Sequence, residues 1–204
     1  MIDICAEKKV LWNILIKIEP RFDMRNYDMR ILYSILAWVW KYDDWNKLEL
    51  DYSKGMFLYG DIGRGKSLTL ILLKEYLKDV RRRHKWLAEN DYRLGTEWMS
   101  ASMIANRYAA EGLPGLEQML TRNSCLFIDE MGREPIPASN YGTRLNVIQF
   151  LLQIRYDNRH NGITHITTNL SLENVAGIYD KYIADRCVEM FNFIEFKGRS
   201  LRRQ

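Results

Sequence analysis

The stretch GDIGRGKS at residues 60–67 constrains this chain more than any other part of its sequence. It fits the pattern G-x-x-x-x-G-K-[ST] at every specified position, and it lies between two apolar segments. Glycines at these positions let successive backbone N–H groups turn inward around phosphate oxygens, and a following helix directs its positive end at them. The stretch predicts a phosphate-binding loop between a strand and a helix, with a plain glycine turn as the alternative.

The side chains of this loop have separate expected roles. Lys66 reaches the outer phosphates of a nucleotide, and the Ser67 hydroxyl is a ligand for magnesium. Arg64 stands at an unspecified position of the pattern and is expected to point outward. The predicted nucleotide-binding residues are Gly60, Asp61, Ile62, Gly63, Arg64, Gly65, Lys66, Ser67 and Leu68.

Two carboxylates end a second apolar segment, CLFIDE, at residues 125–130. Asp129 at the end of a buried strand would lie beside the magnesium ion of a phosphoryl-transfer site. Glu130 is a candidate base that polarises an attacking water. A buried strand that meets solvent with two acids is the alternative. Since a protein that only held a nucleotide would not need Glu130, the pair favours hydrolysis.

Asn169 ends a third apolar segment, THITTN, at residues 164–169. A strand here would neighbour the strand that ends in Asp129, so Asn169 could orient the water or contact the outermost phosphate. Asparagine at the end of a strand is also a common turn former or helix N-cap. Asn169 is therefore a candidate catalytic residue with a structural alternative.

The apolar periodicity predicts strands that alternate with helices. Because such alternation gives a parallel sheet covered on both faces, ligands should bind beyond the carboxyl ends of the strands. With 47% hydrophobic residues, the 204-residue chain can bury one good core. The predicted helices are 6–18, 28–42, 66–84, 142–160 and 171–187; the predicted strands are 54–60, 124–130, 163–169 and 191–196, with a strand feeding a helix at 95–104.

Composition excludes several classes of protein. The three cysteines lie far apart, which argues against a disulfide scaffold or a zinc site and fits the reducing cytoplasm. No apolar run approaches the length of a membrane span, and no export signal is visible at the N-terminus. The net charge of +4 permits a nucleic-acid partner without requiring one.

Four motifs together resemble the AAA+ ATPases of the DnaC/IstB type, which are bacterial replicative-helicase loaders and transposition helper ATPases. The motifs are KGMFLYGDIGRGKSLTL, LFIDEMGREP, THITTNLSLENV and YIADRCVEMFNFIEFKGRSLR. Their order and spacing match this group over roughly residues 50–203. The resemblance implies an α/β P-loop NTPase with a five-stranded parallel sheet flanked by helices and no C-terminal lid domain. It also implies ATP and Mg²⁺ as cofactors.

The resemblance assigns roles to individual residues. The loop at 60–67 is similar to Walker A, and Asp129 with Glu130 is similar to Walker B. Asn169 is similar to the sensor asparagine, and Arg186 to the arginine finger that reaches the ATP of a neighbouring subunit. A salt bridge from Arg186 to Asp180 or Asp185 is the structural alternative. Arg202 is similar to a terminal arginine of the group, to which we assign no role.

The resemblance also implies partners. Residues 107–118 are similar to the helical element with which this group contacts single-stranded DNA. A replicative helicase or a transposase and further copies of the same chain are the other expected partners. The basic clusters at 81–85 and at Arg199, Arg202 and Arg203 either bind DNA or are solvated ends of elements. Three aromatic residues either stack on bases or belong to the core: Trp86, Tyr92 and Trp98.

We expect a short N-terminal helical extension at 1–24 and an ATPase domain with its linker helix at 25–204. The loaders carry a larger N-terminal domain, which leaves the helicase-loading role open, whereas the Asp129-Glu130 pair differs from the double aspartate of the transposition helpers. The leading hypothesis is a replication accessory ATPase. A transposition helper, a nucleotide-dependent binding switch and a metabolic P-loop kinase are the alternatives, and a kinase should carry an arginine-rich lid.

Overall fold

A five-stranded parallel sheet forms the centre of the computed structural model, which describes residues 2–121, 125–160, 162–198 and 200. The strand order is β2-β3-β6-β1-β7, and a separate antiparallel hairpin pairs β4 with β5. This confirms the predicted α/β architecture with a five-stranded parallel sheet. The strands are β1 Gly55–Gly60, β2 Glu97–Ser100, β3 Leu126–Met131, β4 Ala138–Asn140, β5 Thr143–Leu145, β6 Thr164–Thr168 and β7 Phe191–Phe196.

Helices flank this sheet, and side-chain caps fix the starts of several of them. The Asp3, Ser100 and Ser171 side chains each accept hydrogen bonds from backbone N–H groups of the first helical turn. Among the described residues, no helix is both long enough and apolar enough to cross a lipid bilayer. The helices are α1 Ile4–Ile18, α2 Met29–Trp40, α3 Lys66–Arg83, α4 Lys85–Asn90, α5 Ala101–Glu111, α6 Glu117–Thr121, α7 Val147–Asp157, α8 Leu172–Tyr179 and α9 Lys181–Met190.

The core has one layer on each face of the sheet. Along β1, Met56 and Leu58 point into one layer and Phe57 into the other, as the alternation of side chains along a strand requires. The first layer packs the sheet against α1, α2 and α3. The second packs it against α5, α7, α8 and α9. Because helices cover both faces of the sheet, a ligand can approach it at the carboxyl ends of the strands.

The α1 helix packs onto α2 and α3 through buried residues. Leu11 and Leu15 belong to the same apolar cluster as those helices. The buried Glu7 carboxylate accepts hydrogen bonds from the Tyr76 hydroxyl and the Arg83 guanidinium, both at 2.6 Å. The division of the chain at residue 24 stays a prediction.

Two of the predicted helices differ from those in the structure. The predicted helix at 142–160 begins at Val147, because residues 138–145 form the β4–β5 hairpin instead. The turn of this hairpin consists of Tyr141 and Gly142. Their φ values of 45° and 86° are both positive, as a two-residue hairpin turn of this type requires. The predicted helix at 171–187 divides at Asp180, whose φ is 92° and whose side chain accepts from the Ile183 N–H to start α9.

Candidate functional site

The glycine-rich loop connects β1 to α3, as predicted. Gly60, Gly63 and Gly65 have φ values of 116°, 76° and 93°, a region that side chains disfavour. A Cβ on Gly60 would also lie 2.4 Å from the Phe196 carbonyl oxygen, so this position requires glycine. The Lys66 Nζ donates to the Gly60 carbonyl at 2.8 Å, which places the ammonium group over the loop.

The side chains of Asp61 and Arg64 point away from the loop. The Asp61 Oδ2 accepts from the Gly198 N–H at 3.0 Å, and the Arg64 Nε donates to the Lys197 carbonyl at 2.7 Å. Both bonds tie the loop to the segment that follows β7. These two residues can therefore contribute to a nucleotide site through their backbone, while their side chains hold the loop to the sheet.

A cavity of about 520 Å³ opens over the loop at the carboxyl ends of β3 and β6. Its volume lies within the range of small-molecule sites. Its far wall comes from residues 19–23, between α1 and α2, which sequence reasoning did not assign to the site. Tyr27 links this wall to α3, because its ring packs on the Phe22 ring at 5.2 Å and its hydroxyl bonds the Thr69 hydroxyl.

Ser67 and Asp129 meet beside the cavity. The Ser67 Oγ donates to the Asp129 Oδ1 at 2.9 Å, and Asp129 is buried. Thr167 on β6 donates to the same carboxylate oxygen and accepts from the Glu130 N–H at 2.9 Å. A hydroxyl and a carboxylate together are oxygen ligands of the kind that Mg²⁺ prefers, so this donor set fits magnesium. Sequence reasoning missed Thr167, although it lies in the quoted TTN motif.

Glu130 lies at the mouth of the cavity in an unusual backbone conformation. Its φ is 58°, and its exposed carboxylate forms an ion pair with the Arg133 guanidinium at 3.0 Å. Arg133 also lines the cavity. Sequence reasoning did not assign Arg133, and the signal that could have found it is the turn spacing of three residues within DEMGREP.

Asn169 lies directly after β6, is exposed and lines the same cavity. The N-cap of α8 is Ser171, whose Oγ accepts from the Asn174 N–H at 3.2 Å. Asn169 is therefore not the N-cap of α8, so this structural alternative is excluded. Lys66, Ser67 and Glu130 converge on one cavity with Asn169.

Arg186 lies within α9, outside the residues that line this cavity. Its guanidinium packs over the rings of Tyr156 and Tyr182 at 4.5 Å and 4.1 Å and donates to the Tyr182 hydroxyl at 2.9 Å. The guanidinium lies 3.8 Å from the Asp157 carboxylate. Among the described residues the ion pair therefore forms with Asp157 and not with Asp180 or Asp185, the two aspartates expected from the sequence. The Arg186 Nη1 is buried and finds no acceptor among the described residues. A role as a finger would thus have to be played in a neighbouring subunit.

The first basic cluster is partly neutralised within the fold. Arg82 pairs with Asp79 at 2.5 Å, and Arg83 pairs with Glu7 at 2.6 Å. Trp86 on α4 is 73% exposed, whereas Trp98 is partly buried. The second cluster, with Arg199, Arg202 and Arg203, and the Tyr92 side chain lie outside the part of the structure that is described.

The segment at 107–118 comprises the end of α5, a short turn and the start of α6. Leu113 is 49% exposed in that turn, and Leu116 is buried beneath it. The segment is therefore largely helical, and its correspondence to the helical element of the resemblance stays a prediction. Its contact with DNA stays a prediction.

Comparison with known proteins bears on the fold. The DnaC helicase loader has a TM-score of 0.58 to this chain at 18% identity, covering 93% of this chain and 99% of that one. A candidate primosome component from Streptococcus pyogenes serotype M3 has a TM-score of 0.57 at 20% identity, covering 88% and 87%. No family model and no curated protein matches the sequence. The chain thus has the fold of the DnaC helicase loader, as the motifs predicted.

Proposed function

We propose that the protein binds and hydrolyses ATP as an accessory protein of DNA replication, similar to a helicase loader and acting on or with single-stranded DNA in the cytoplasm. The observation that carries the proposal is the 2.9 Å contact between Ser67 and Asp129, which joins the phosphate loop to the acidic end of β3 within a DnaC-type fold. That contact joins the two halves of the proposed nucleotide site, which are 62 residues apart in the sequence.

The loop would hold the phosphates of ATP through its backbone N–H groups and the N-terminus of α3. Lys66 would exchange the carbonyls of Gly60 and Asp61, which it now contacts at 2.8 Å and 2.7 Å, for the outer phosphate oxygens. Ser67 and Asp129 would hold Mg²⁺, which would neutralise negative charge on the phosphates. Thr167 keeps the Asp129 carboxylate oriented for this purpose.

Glu130 would polarise a water that attacks the γ-phosphorus, so that the bond to the β,γ-bridging oxygen breaks and ADP and phosphate result. Its exposed position at the cavity mouth supports this role. Asn169 would orient the same water or the γ-phosphate from β6. Arg186 of one subunit would neutralise transition-state charge at the nucleotide of a neighbouring subunit, so we propose an ATP-dependent homo-oligomer.

A replicative helicase is the protein partner we favour, because two solved structures similar to this chain are a helicase loader and a candidate primosome component. A nucleotide-dependent binding switch is the second candidate. The ion pair between Glu130 and Arg133 favours it, since a base held by a cation would hydrolyse ATP slowly.

The test is ATP turnover with and without single-stranded DNA and a replicative helicase. We expect measurable turnover whose rate changes when DNA or helicase is added. Tight ATP binding with almost no turnover under any condition would favour the switch. Phosphate transfer to a small acceptor, at a rate indifferent to DNA, would identify a kinase and contradict the proposal.

A further inference from the structure

The tip of the β4–β5 hairpin carries an aromatic side chain that the fold does not use. Tyr141 is 99% exposed at the turn of this hairpin. An isolated exposed tyrosine on a loop is common, but this one lies on a supported element. Ala138 at the base of the hairpin is buried in the core, and the Asn140 Nδ2 donates to the Ala109 carbonyl of α5 at 2.9 Å. The hairpin is thus a fixed support for a ring that projects into solvent.

The backbone conformation of Tyr141 argues against the explanation that this tyrosine stabilises the fold. Its φ is 45°, in the left-handed region, and Gly142 follows with a φ of 86°. Turns of this kind favour asparagine, aspartate or glycine at both central positions, because a bulky side chain is strained there. Neither burial nor turn preference therefore accounts for a tyrosine. An exposed side chain kept in a disfavoured conformation points to a role in binding.

The chemistry around the ring indicates the kind of ligand. Residues 135–156 contain no aspartate or glutamate, and Arg144 is exposed on β5. The other exposed side chains of the hairpin, Ser139 and Thr143, are polar. On the adjacent α5, the charges of Arg107 and Glu111 lie 3.6 Å apart and offset each other. The hairpin thus combines an aromatic ring and a guanidinium with polar side chains and carries no acidic residue. This chemistry suits a single-stranded nucleic acid, with its bases and phosphates, better than it suits an apolar groove of a protein partner.

We propose that the β4–β5 hairpin is a contact surface for single-stranded nucleic acid, on which a base stacks against Tyr141 while Arg144 pairs with the phosphate backbone. The inference rests on the proposed function, because it assigns a surface to the single-stranded DNA of that function. It adds a second contact beside the segment at 107–118, since Asn140 and the Tyr108 hydroxyl join the hairpin to α5.

The hairpin is also joined to the candidate catalytic end of β3. Between them, the Glu134 carboxylate accepts from the Gly132 N–H at 2.8 Å and from the Tyr179 hydroxyl, and the Ser102 Oγ donates to the Arg133 carbonyl at 3.3 Å. These bonds fix the short segment that runs from Glu130 to the hairpin. A strand bound at Tyr141 would therefore lie on an element continuous with the ATP site.

The experiment measures binding of a fluorescently labelled oligothymidylate by anisotropy at low salt, with parallel ATPase assays. Tyr141→Asn removes the ring but suits the turn, so it should fold at least as well as the parent while binding about 5- to 100-fold more weakly. Tyr141→Trp keeps a stacking surface and should bind like the parent. Arg144→Ala should weaken binding and reduce its dependence on salt.

Tyr42→Ala is the matched control, because Tyr42 is an exposed aromatic on a different part of the fold, between α2 and β1, and its loss should leave binding unchanged. Parental affinity in Tyr141→Asn, or an equal loss of affinity in Tyr42→Ala, would overturn the hairpin assignment while leaving the ATPase proposal standing. A parent that hydrolyses ATP but does not bind the oligonucleotide would instead remove DNA from the proposed function. Loss of helicase binding in Tyr141→Asn with unchanged DNA affinity would show a protein surface and also overturn the inference.

Discussion

The Arg133 guanidinium holds the Glu130 carboxylate at 3.0 Å across a turn at the end of β3. The turn is closed by a hydrogen bond from the Arg133 N–H to the Glu130 carbonyl at 3.2 Å. Both side chains are about half exposed, so the pair is partly screened by solvent. The cation nevertheless competes with any water for the carboxylate that we propose as the base.

The first prediction concerns this competition. Arg133→Ala should free Glu130 and raise basal ATP turnover by about 1.5- to 5-fold, the range expected for one exposed ion pair. Arg133→Lys keeps a cation within reach and serves as the control that should stay near the parental rate. A fall in kcat in Arg133→Ala would show that this arginine assists the reaction, and would contradict a restraining role.

The second prediction tests Glu130 as the base. Glu130→Gln has nearly the same shape but cannot accept a proton, so ATP affinity should persist while kcat falls by about 100-fold or more. Equilibrium binding of a labelled ATP analogue and steady-state phosphate release measure the two quantities separately. Parental turnover in this variant would remove Glu130 from the chemical step.

The third prediction tests whether the site is shared between subunits. Arg186→Ala and Lys66→Ala should each be inactive alone, since an arginine supplied by a neighbour contributes about 10³–10⁵ in rate. A mixture of the two should recover part of the turnover, because one subunit retains the loop and the other retains the finger. Tyr182→Phe is a control that keeps the ring beneath Arg186 and removes only the hydroxyl contact.

Normal hydrolysis by Arg186→Ala at every protein concentration would contradict the shared site. Arg186 would then be a structural cation held between Tyr156, Tyr182 and Asp157. The protein would be better described as a monomeric switch.

Much of the site was predictable because the residues concerned follow strands whose ends meet. The loop at 60–67 and the acids near the end of β3 converge at one edge of a parallel sheet, so the Ser67–Asp129 contact follows from the two motifs and the fold class. The same reasoning placed Asn169 at that edge. It required only the apolar segments and the residues at which they end.

Other parts depend on contacts that the local sequence does not reveal. Thr167 looks like any β-branched strand residue, and only the neighbouring strand makes its hydroxyl a partner of Asp129. The cavity wall at 19–23 depends on the long-range packing of Tyr27 against α3. The hairpin escaped prediction because Tyr141 is not a residue that normally signals such a turn.

The fourth prediction concerns the dependence of stability on pH. His165 lies in β6 with its ring stacked on Phe127 at 4.9 Å, and its Nδ1 accepts from the Met56 N–H at 3.0 Å. Burial, together with the charges of Arg155 and Arg93, lowers its pKa from 6.5 to about 3. Below about pH 6.5 the His165 side chain is protonated in the unfolded chain, whereas in the native state it stays neutral down to about pH 3. His165 should therefore reduce stability as pH falls through this window.

Urea unfolding near pH 7.5 and near pH 5.5 measures this effect, which has a limiting slope of about 1.4 kcal/mol per pH unit. His165→Asn offers an amide oxygen that can accept from the Met56 N–H and does not titrate. Its stability should decline less between the two pH values than that of the parent. Since the carboxylates are common to both proteins, equal declines would contradict a neutral buried His165.

The most direct test of the central claim is ATP turnover by the parent protein beside Lys66→Ala, with Mg²⁺ present. We expect the parent to bind ATP and release phosphate, and we expect Lys66→Ala to keep its fold by circular dichroism while losing ATP binding. The control is Lys181→Ser, which replaces a distant, exposed lysine and should match the parent in ATP affinity and turnover. Equal ATP affinity and turnover in the parent and Lys66→Ala would contradict the assignment of this loop as the nucleotide site.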